Sequence, residues 1–238
     1  GFAKIVGVFP PGKLQTYRVH TNRGLSARSS GDHLWKVKRI QSGRNGPWEV
    51  RTLDSLRKPS LWSLPTCQPV DFYPQWVPID PYVLGVLLGD GHLTKGGAAV
   101  TTADPEIDAA LTDYAESIGL RVSRYTKLGP DGAPNSASDV RLVDRAASMN
   151  KLVASLEVLG LRNARSWEKF VPDCYKYNTR EVRLALLQGL MDTDGGVSIG
   201  GECEFASCSE RLSADLCEVV RSLGGMARIC ERVRKTRT

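Results

Sequence analysis

The sequence predicts an α+β chain: a mostly-β segment over about residues 1–76, followed by a duplicated αββαββα unit over about 77–238. Three observations carry this. Two apolar runs echo each other, Leu84-Gly85-Val86-Leu87-Leu88-Gly89-Asp90-Gly91 and Leu187-Gln188-Gly189-Leu190-Met191-Asp192-Thr193-Asp194-Gly195. The echo continues downstream, because Asp90, Leu93 and Gly97 match Asp194, Val197 and Gly201 at an offset of 104. Leu111, Ser117 and Gly119 then match Leu216, Ser222 and Gly224 at 105, so one inserted residue reconciles the two copies. Finally, the character of the chain changes at Pro78, from short β-branched stretches with turn residues to long apolar runs.

In the first segment, Lys4–Phe9 is apolar and β-branched and reads as a strand, and Pro10-Pro11-Gly12 turns the chain. Leu14–His20 alternates around Tyr17 and Val19, and Asn22-Arg23-Gly24 signals a second turn. Leu34–Val37 begins another strand, Ser42–Pro47 reads as a loop, and Leu61–Val70, with two prolines, reads as extended chain.

In the second segment, Asp80 is a helix N-cap and Pro81 suits the first turn. Tyr82 to Leu88 is apolar nearly all round, which predicts a buried helix, and Gly91 is expected to end it in the left-handed conformation. The second copy is expected to start near Asn178, with Glu181 at capping-box spacing. Each copy then reads as a hairpin, a helix from about Pro105 or Glu210, and a strand. The first copy, about 78–160, adds a strand near Val140–Val143 and a helix over Asp144–Leu159. The second, about 178–238, stops after its equivalent of the third strand, so a further segment or another chain is expected to complete it.

The two echoes carry the chemistry. Gly85 and Gly89 lie one turn apart on one helix face, as do Gly189 and Thr193 on the other. Small residues at that spacing let two helix backbones approach closely. Asp90 and Asp194 then emerge together from the paired ends. Two close carboxylates repel when both are ionised, and a divalent cation removes that cost. Magnesium, which takes one or two carboxylates with waters and phosphate oxygens, suits such a pair.

Composition narrows the class. A formal charge of +6 at pH 7 fits a polyanionic partner. The six cysteines include no C-x-x-C pair and no zinc spacing, which predicts free thiols. No apolar run has membrane-spanning length and no signal-peptide pattern opens the chain; together these predict an intracellular location.

Leu187–Gly195 resembles the LAGLIDADG motif of homing endonucleases, and Val83–Gly91 resembles its more divergent partner. The resemblance covers roughly Pro78 to Thr238 and implies an enzyme that cuts both strands of a long double-stranded DNA site with Mg2+ or Mn2+. In that family the last acid of each motif binds the metals, which carries over to Asp90 and Asp194. Leu88 stands where the family often has a further acid that is usually no metal ligand. The family also uses a basic residue near each metal. Lys127, Arg141 and Arg232 are the candidates, with phosphate contact or simple solvation as their other readings. Arg228 and Arg232, in the basic tail, are candidate DNA contacts as well.

Ser30-Gly31-Asp32-His33 resembles the Thr-x-x-His block of inteins, with serine in place of threonine, followed by the strand-like Leu34-Trp35. The resemblance implies that His33 polarises the upstream splice-junction peptide, with Ser30 hydrogen-bonding beside it, and that the partners include host-protein exteins. No His-Asn pair closes this sequence, so splicing by this chain alone is not expected. The alternative is a splicing or DNA-binding element with an inactive or incomplete endonuclease.

Overall fold

The computed structural model describes residues 4–232 except 11, 23, 42–43, 57–60, 94–96, 129–133 and 145–149; side chains at 41, 44–45, 127–128 and 134–135 also lie outside the description. The chain is mixed α+β, with four small antiparallel sheets among the described residues. It divides into two compact units, residues 1–68 with 224–238, and residues 69–223.

In the first unit, β1 (Thr16–His20) and β2 (Ser26–Ser30) form a hairpin. Its turn uses Gly24 at φ 78° and the Thr21 hydroxyl, which accepts from the Leu25 N–H at 3.1 Å. A three-stranded sheet follows, with β3 (Leu34–Gln41) between β4 (Arg44–Thr52) and β5 (Trp62–Ser63). Two expectations change here. Lys4–Phe9 forms no strand; Ile5, Val6, Val8 and Phe9 are exposed, and apolar alternation without a partner strand leaves its backbone unpaired. The loop expected over Ser42–Pro47 is largely β4, whose register shifts opposite Arg39. That bulge accommodates Pro47, which has no N–H to give to a ladder.

The second unit is built around α1 (Pro81–Gly89) and α5 (Arg180–Asp194). Asp80 caps α1 as expected, its carboxylate accepting from the Tyr82 and Val83 N–H groups at 2.9 and 3.1 Å. Val83 through Leu88 are all buried. Between the two helices run β6 (Gly91–His92), β7 (Ala99–Thr102), α2 (Pro105–Ser117), β8 (Arg121–Leu128), β9 (Pro134–Val143), α3 (Lys151–Val158) and α4 (Asp173–Lys176). The four strands pair in the order β6-β7-β9-β8. Val100, Val140 and Leu142 bury one sheet face with Leu93, Ile107 and Leu111 in the same core as α1. After α5 come β10 (Gly195–Val197), β11 (Cys203–Phe205) and α6 (Glu210–Ser222). Helices α2 and α6 begin and end 105 residues apart, capped by Asp104 and Ser209.

The predicted boundary near residue 77 falls instead between Gln68 and Pro69. The reason is a set of bonds from 69–77 into the second unit. The Val70 N–H donates to Ser222 O at 2.8 Å, and the Gln75 N–H donates to Asn178 Oδ1 at 3.2 Å. Arg183, fully buried, donates to Val70 O, to Ser222 Oγ at 2.5 Å and to Asn178 O at 3.0 Å, with Phe72 against its guanidinium. Asn178 is thus spent on the linker rather than on capping; Thr179 is the N-cap of α5, without a side-chain capping bond to the helix backbone.

Three further expectations are corrected. Helix α3 starts at Lys151, not Asp144, where Asn150 caps the Leu152 N–H at 2.8 Å and also donates to Leu142 O; residues 145–149 lie outside the described ones. Residues 225–232 form no regular element, so the strand expected there is absent among the described residues. Gly91 opens β6 and is not left-handed; a Cβ there would collide with the Leu87 carbonyl oxygen and lie 2.7 Å from Leu87 Cα. All six cysteines are free thiols, and no described helix is long and apolar enough to cross a membrane.

Candidate active site at the paired helix ends

Helices α1 and α5 meet through their glycines. A Cβ on Gly85 would collide with Leu186 O and lie 3.0 Å from Gly189 Cα. A Cβ on Gly189 would collide with Tyr82 O and lie 3.1 Å from Gly85 Cα. Tyr82 and Leu186 are 104 residues apart, as are Gly85 and Gly189, so the contact is reciprocal. One turn on, Thr193 fills the space a Gly89 side chain would need, with its hydroxyl bonded back to the Gly189 and Leu190 carbonyls. Gly85, Gly89, Gly189 and Thr193 thus all lie at the contact between the two helices.

This packing brings Asp90 and Asp194 to one place. Asp90 is the C-cap of α1 and Asp194 the last residue of α5; both line a cleft of about 510 Å³. Gly91 and Gly195 follow them in matched fashion, each so close to the helix it leaves (Leu87 and Met191) that a side chain would collide. Asp194 keeps its carboxyl partly open to solvent. Even so, its pKa is raised, first by desolvation and then by the charge of Asp90, with Lys169 opposing.

Lys169 is the residue that sequence reasoning missed. It is 4% exposed, and its ammonium donates to Gly89 O at 2.7 Å, the carbonyl just before Asp90. Burial pulls its pKa down to about 8, while the charges of Asp194, Asp90 and Cys208 hold it up. The segment around it is tightly held. Glu168 closes a 3-10 turn by accepting from the Arg165 N–H, and Lys169 O accepts from the Ser209 hydroxyl that caps α6. The Val171 N–H donates to Asp215, which forms a buried ion pair with Lys176 at 2.8 Å. The signal available was the cluster Trp167, Phe170, Val171 around a lone lysine in a stretch without assigned structure.

The other predicted residues fall elsewhere. Two residues that were not among them, His92 and Thr101, line the cleft as well. Arg141 sits on β9, exposed and 5.3 Å from the Tyr125 ring, and does not line the cleft. Lys127 lies on β8, but its side chain is outside the described ones. Arg228 and Arg232 are exposed, in a stretch that groups with the first unit.

In the first unit, Ser30-Gly31-Asp32-His33 forms the turn between β2 and β3. The His33 N–H donates to Ser30 O at 3.3 Å, and the imidazole is exposed, edge-on to Trp35 at 6.0 Å. The Ser30 side chain bonds the neighbouring Asp32 carboxylate, and this bond is the first cause of the lowered Asp32 pKa.

A carboxylate pair with a buried lysine beside it suits phosphate chemistry. Among the described residues no group of three or more His, Cys, Asp or Glu side chains could hold a metal. Two carboxylates with open space beside them match the ligand demand of magnesium, which keeps waters and phosphate oxygens in its remaining positions.

No family model matches the chain. It is 29% identical over 210 residues to the replicative DNA helicase DnaB of Mycobacterium intracellulare, covering 86% of this chain and 30% of that protein. It is 24% identical over 237 residues to a DNA gyrase subunit of Mycobacterium leprae, covering 95% of the chain and 18% of the gyrase protein. It is also 26% identical over 168 residues to the homothallic switching endonuclease of Saccharomyces cerevisiae, covering 63% and 28%. The chain thus spans less than a third of the length of these relatives.

Proposed function

We propose that this chain is the endonuclease-bearing part of an intein and cuts double-stranded DNA at a specific site by metal-dependent phosphodiester hydrolysis. The carrying observation is the reciprocal glycine contact of α1 and α5, which delivers Asp90 and Asp194 to one cleft beside Lys169. The pairing at offset 104, and the matching limits of α2 and α6 at 105, support a duplicated LAGLIDADG-type unit over residues 69–223. The relatives support an inserted element. Parts of a helicase, a gyrase subunit and an endonuclease each match this chain, which suits a module carried inside different hosts.

Asp90 and Asp194 would hold Mg2+ or Mn2+. When bound, the metal supplies charge stabilisation at the scissile phosphate and a more acidic water. Lys169 adds a fixed donor in a largely water-excluded position, where its charge counts for more than at the surface. With a pKa drawn toward 8 it can also exchange a proton near neutral pH. His33 and its turn would belong to the splicing part of the element, with host-protein exteins as the flanking partners.

The test uses a plasmid carrying the uninterrupted host gene, with magnesium. The chain linearises it, and the double variant Asp90→Asn, Asp194→Asn still binds DNA but cuts at least about 10³-fold more slowly. Equal cleavage by the double variant would sink the assignment. A second reading, DNA binding or splicing with an inactive nuclease, is favoured by one feature. Hairpin β10–β11 pairs only with itself among the described residues and leaves Val197 and Ile199 exposed. That reading predicts binding without cutting by the unaltered chain.

A further inference from the structure

The formal charge of +6 is unevenly divided. Residues 1–68 with 224–238 carry 17 Lys and Arg against 4 Asp and Glu, a formal +13. Residues 69–223 carry 15 against 22, a formal −7. The unit that holds the proposed cutting site therefore repels a polyanion on average, and the other unit attracts one.

The first unit also displays its cations in an uncompensated way. On the β1–β2 hairpin, Arg18 pairs directly opposite Arg28, and both are exposed. Like charges directly opposite each other across strands are destabilising. No carboxylate among the described residues forms an ion pair with either. On the β3–β4 pair, Lys36 and Lys38 face Val50 and Trp48, with their ammonium groups 6.0 and 5.1 Å from the Trp48 ring. That face is open: Leu34 is 62% and Val50 63% exposed. Two arginines held side by side suit adjacent phosphate oxygens. Lysines steadied over an indole keep their charge outward with less side-chain freedom to lose.

Resting on the endonuclease reading above, we propose that the first unit is the DNA-anchoring part of the protein. It holds the phosphate backbone of double-stranded DNA through Arg18, Arg28, Lys36 and Lys38, and supplies most of the sequence-independent affinity. The cutting unit then contributes chemistry and base reading more than attraction. The unpaired arginines are a stability cost that a bound phosphate backbone relieves.

The test measures fluorescence anisotropy of a 40-base-pair duplex of mixed sequence, roughly four turns long so that both units can engage. The full chain is titrated across roughly 50 to 200 mM salt, the range over which phosphate contacts reveal themselves. The variant Arg18→Gln, Arg28→Gln, Lys36→Gln, Lys38→Gln is expected to bind about a hundredfold more weakly near 0.1 M salt. Its salt slope should fall by about 3 to 4, near 0.9 for each lost phosphate contact. Far-UV circular dichroism and the melting curve check that it is folded. The charge-preserving variant Arg18→Lys, Arg28→Lys should keep the salt slope. Affinity within threefold of the unaltered chain for the glutamine variant, loss of the slope in the charge-preserving one, or tighter binding of single-stranded RNA than of duplex each overturns the proposal. The assay is run without magnesium and reads binding alone, apart from any chemistry at the helix ends. A chain that binds duplex through these residues but never cuts therefore overturns the endonuclease reading and leaves this one standing.

Discussion

Helices α1 and α5 deliver their aspartates to one cleft from very different surroundings. The α1 side is enclosed. Val83 to Leu88 are all buried, and the strands that follow join a four-stranded sheet with Val100, Val140 and Leu142 inside. The α5 side is open. Leu184 is 42% exposed, and β10–β11 is a two-stranded hairpin with Val197 and Ile199 in solvent. Yet the glycine contacts and the residues that follow each aspartate are matched on both sides. The geometry of the cleft therefore depends on the seam between the helices, and only secondarily on how much sheet surrounds each one.

The strongest way to break the comparison is to break the seam. Gly85→Leu and Gly189→Leu each place a side chain against the partner helix backbone, where no flexible group can give way. Each should cost about 3 kcal/mol or more and act alike, despite the difference in surroundings. Urea melts of the two variants check this. A Gly189→Leu chain as stable as the unaltered one would mean that the open side does not share the seam.

The sheets should respond unequally. Leu142→Ala removes a side chain that is 1% exposed and leaves a cavity, so about 2 to 4 kcal/mol is expected. Val197→Ser, at a position 72% exposed, should stay within about 0.5 kcal/mol. The same melts read both. A large loss from Val197→Ser would show that the hairpin is covered in solution.

How much of this was legible followed from what pattern can express. The seam was visible because small residues one helical turn apart, repeated at a fixed offset, have few other uses. The cap Asp80 lies where local chemistry alone places it. Lys169 and Arg183 were not legible. Each is buried by tertiary contacts with residues distant in sequence, such as Gly89 O and Val70 O, and a buried cation looks like a surface one until its carbonyl partners are in place. The same holds for Asn178, which resembles a cap but serves the linker. Lys4–Phe9 failed for the opposite reason: its pattern is strand-like, and no partner strand pairs with it among the described residues.

Lys169 gives the smallest and sharpest test, because it sits between the two sides. Its pKa in the folded chain, about 8, lies below the ordinary lysine value of 10.5. Between those values the unfolded chain holds a proton that the folded chain has released, so stability should rise with pH across that window. Below about pH 8 both forms are protonated and the slope vanishes. The slope from this one group is at most about 1.4 kcal/mol per pH unit. Lys169→Met removes the rise and, by replacing a buried charge with an apolar chain, should leave stability at pH 7 unchanged or higher by about 1 kcal/mol. Cleavage should nonetheless fall by about 10²-fold, as for loss of one fixed donor at a phosphate. A variant that loses stability and activity together would make Lys169 a strut for the Gly89 carbonyl. Loss of activity alone makes it part of the chemistry shared by the two helix ends.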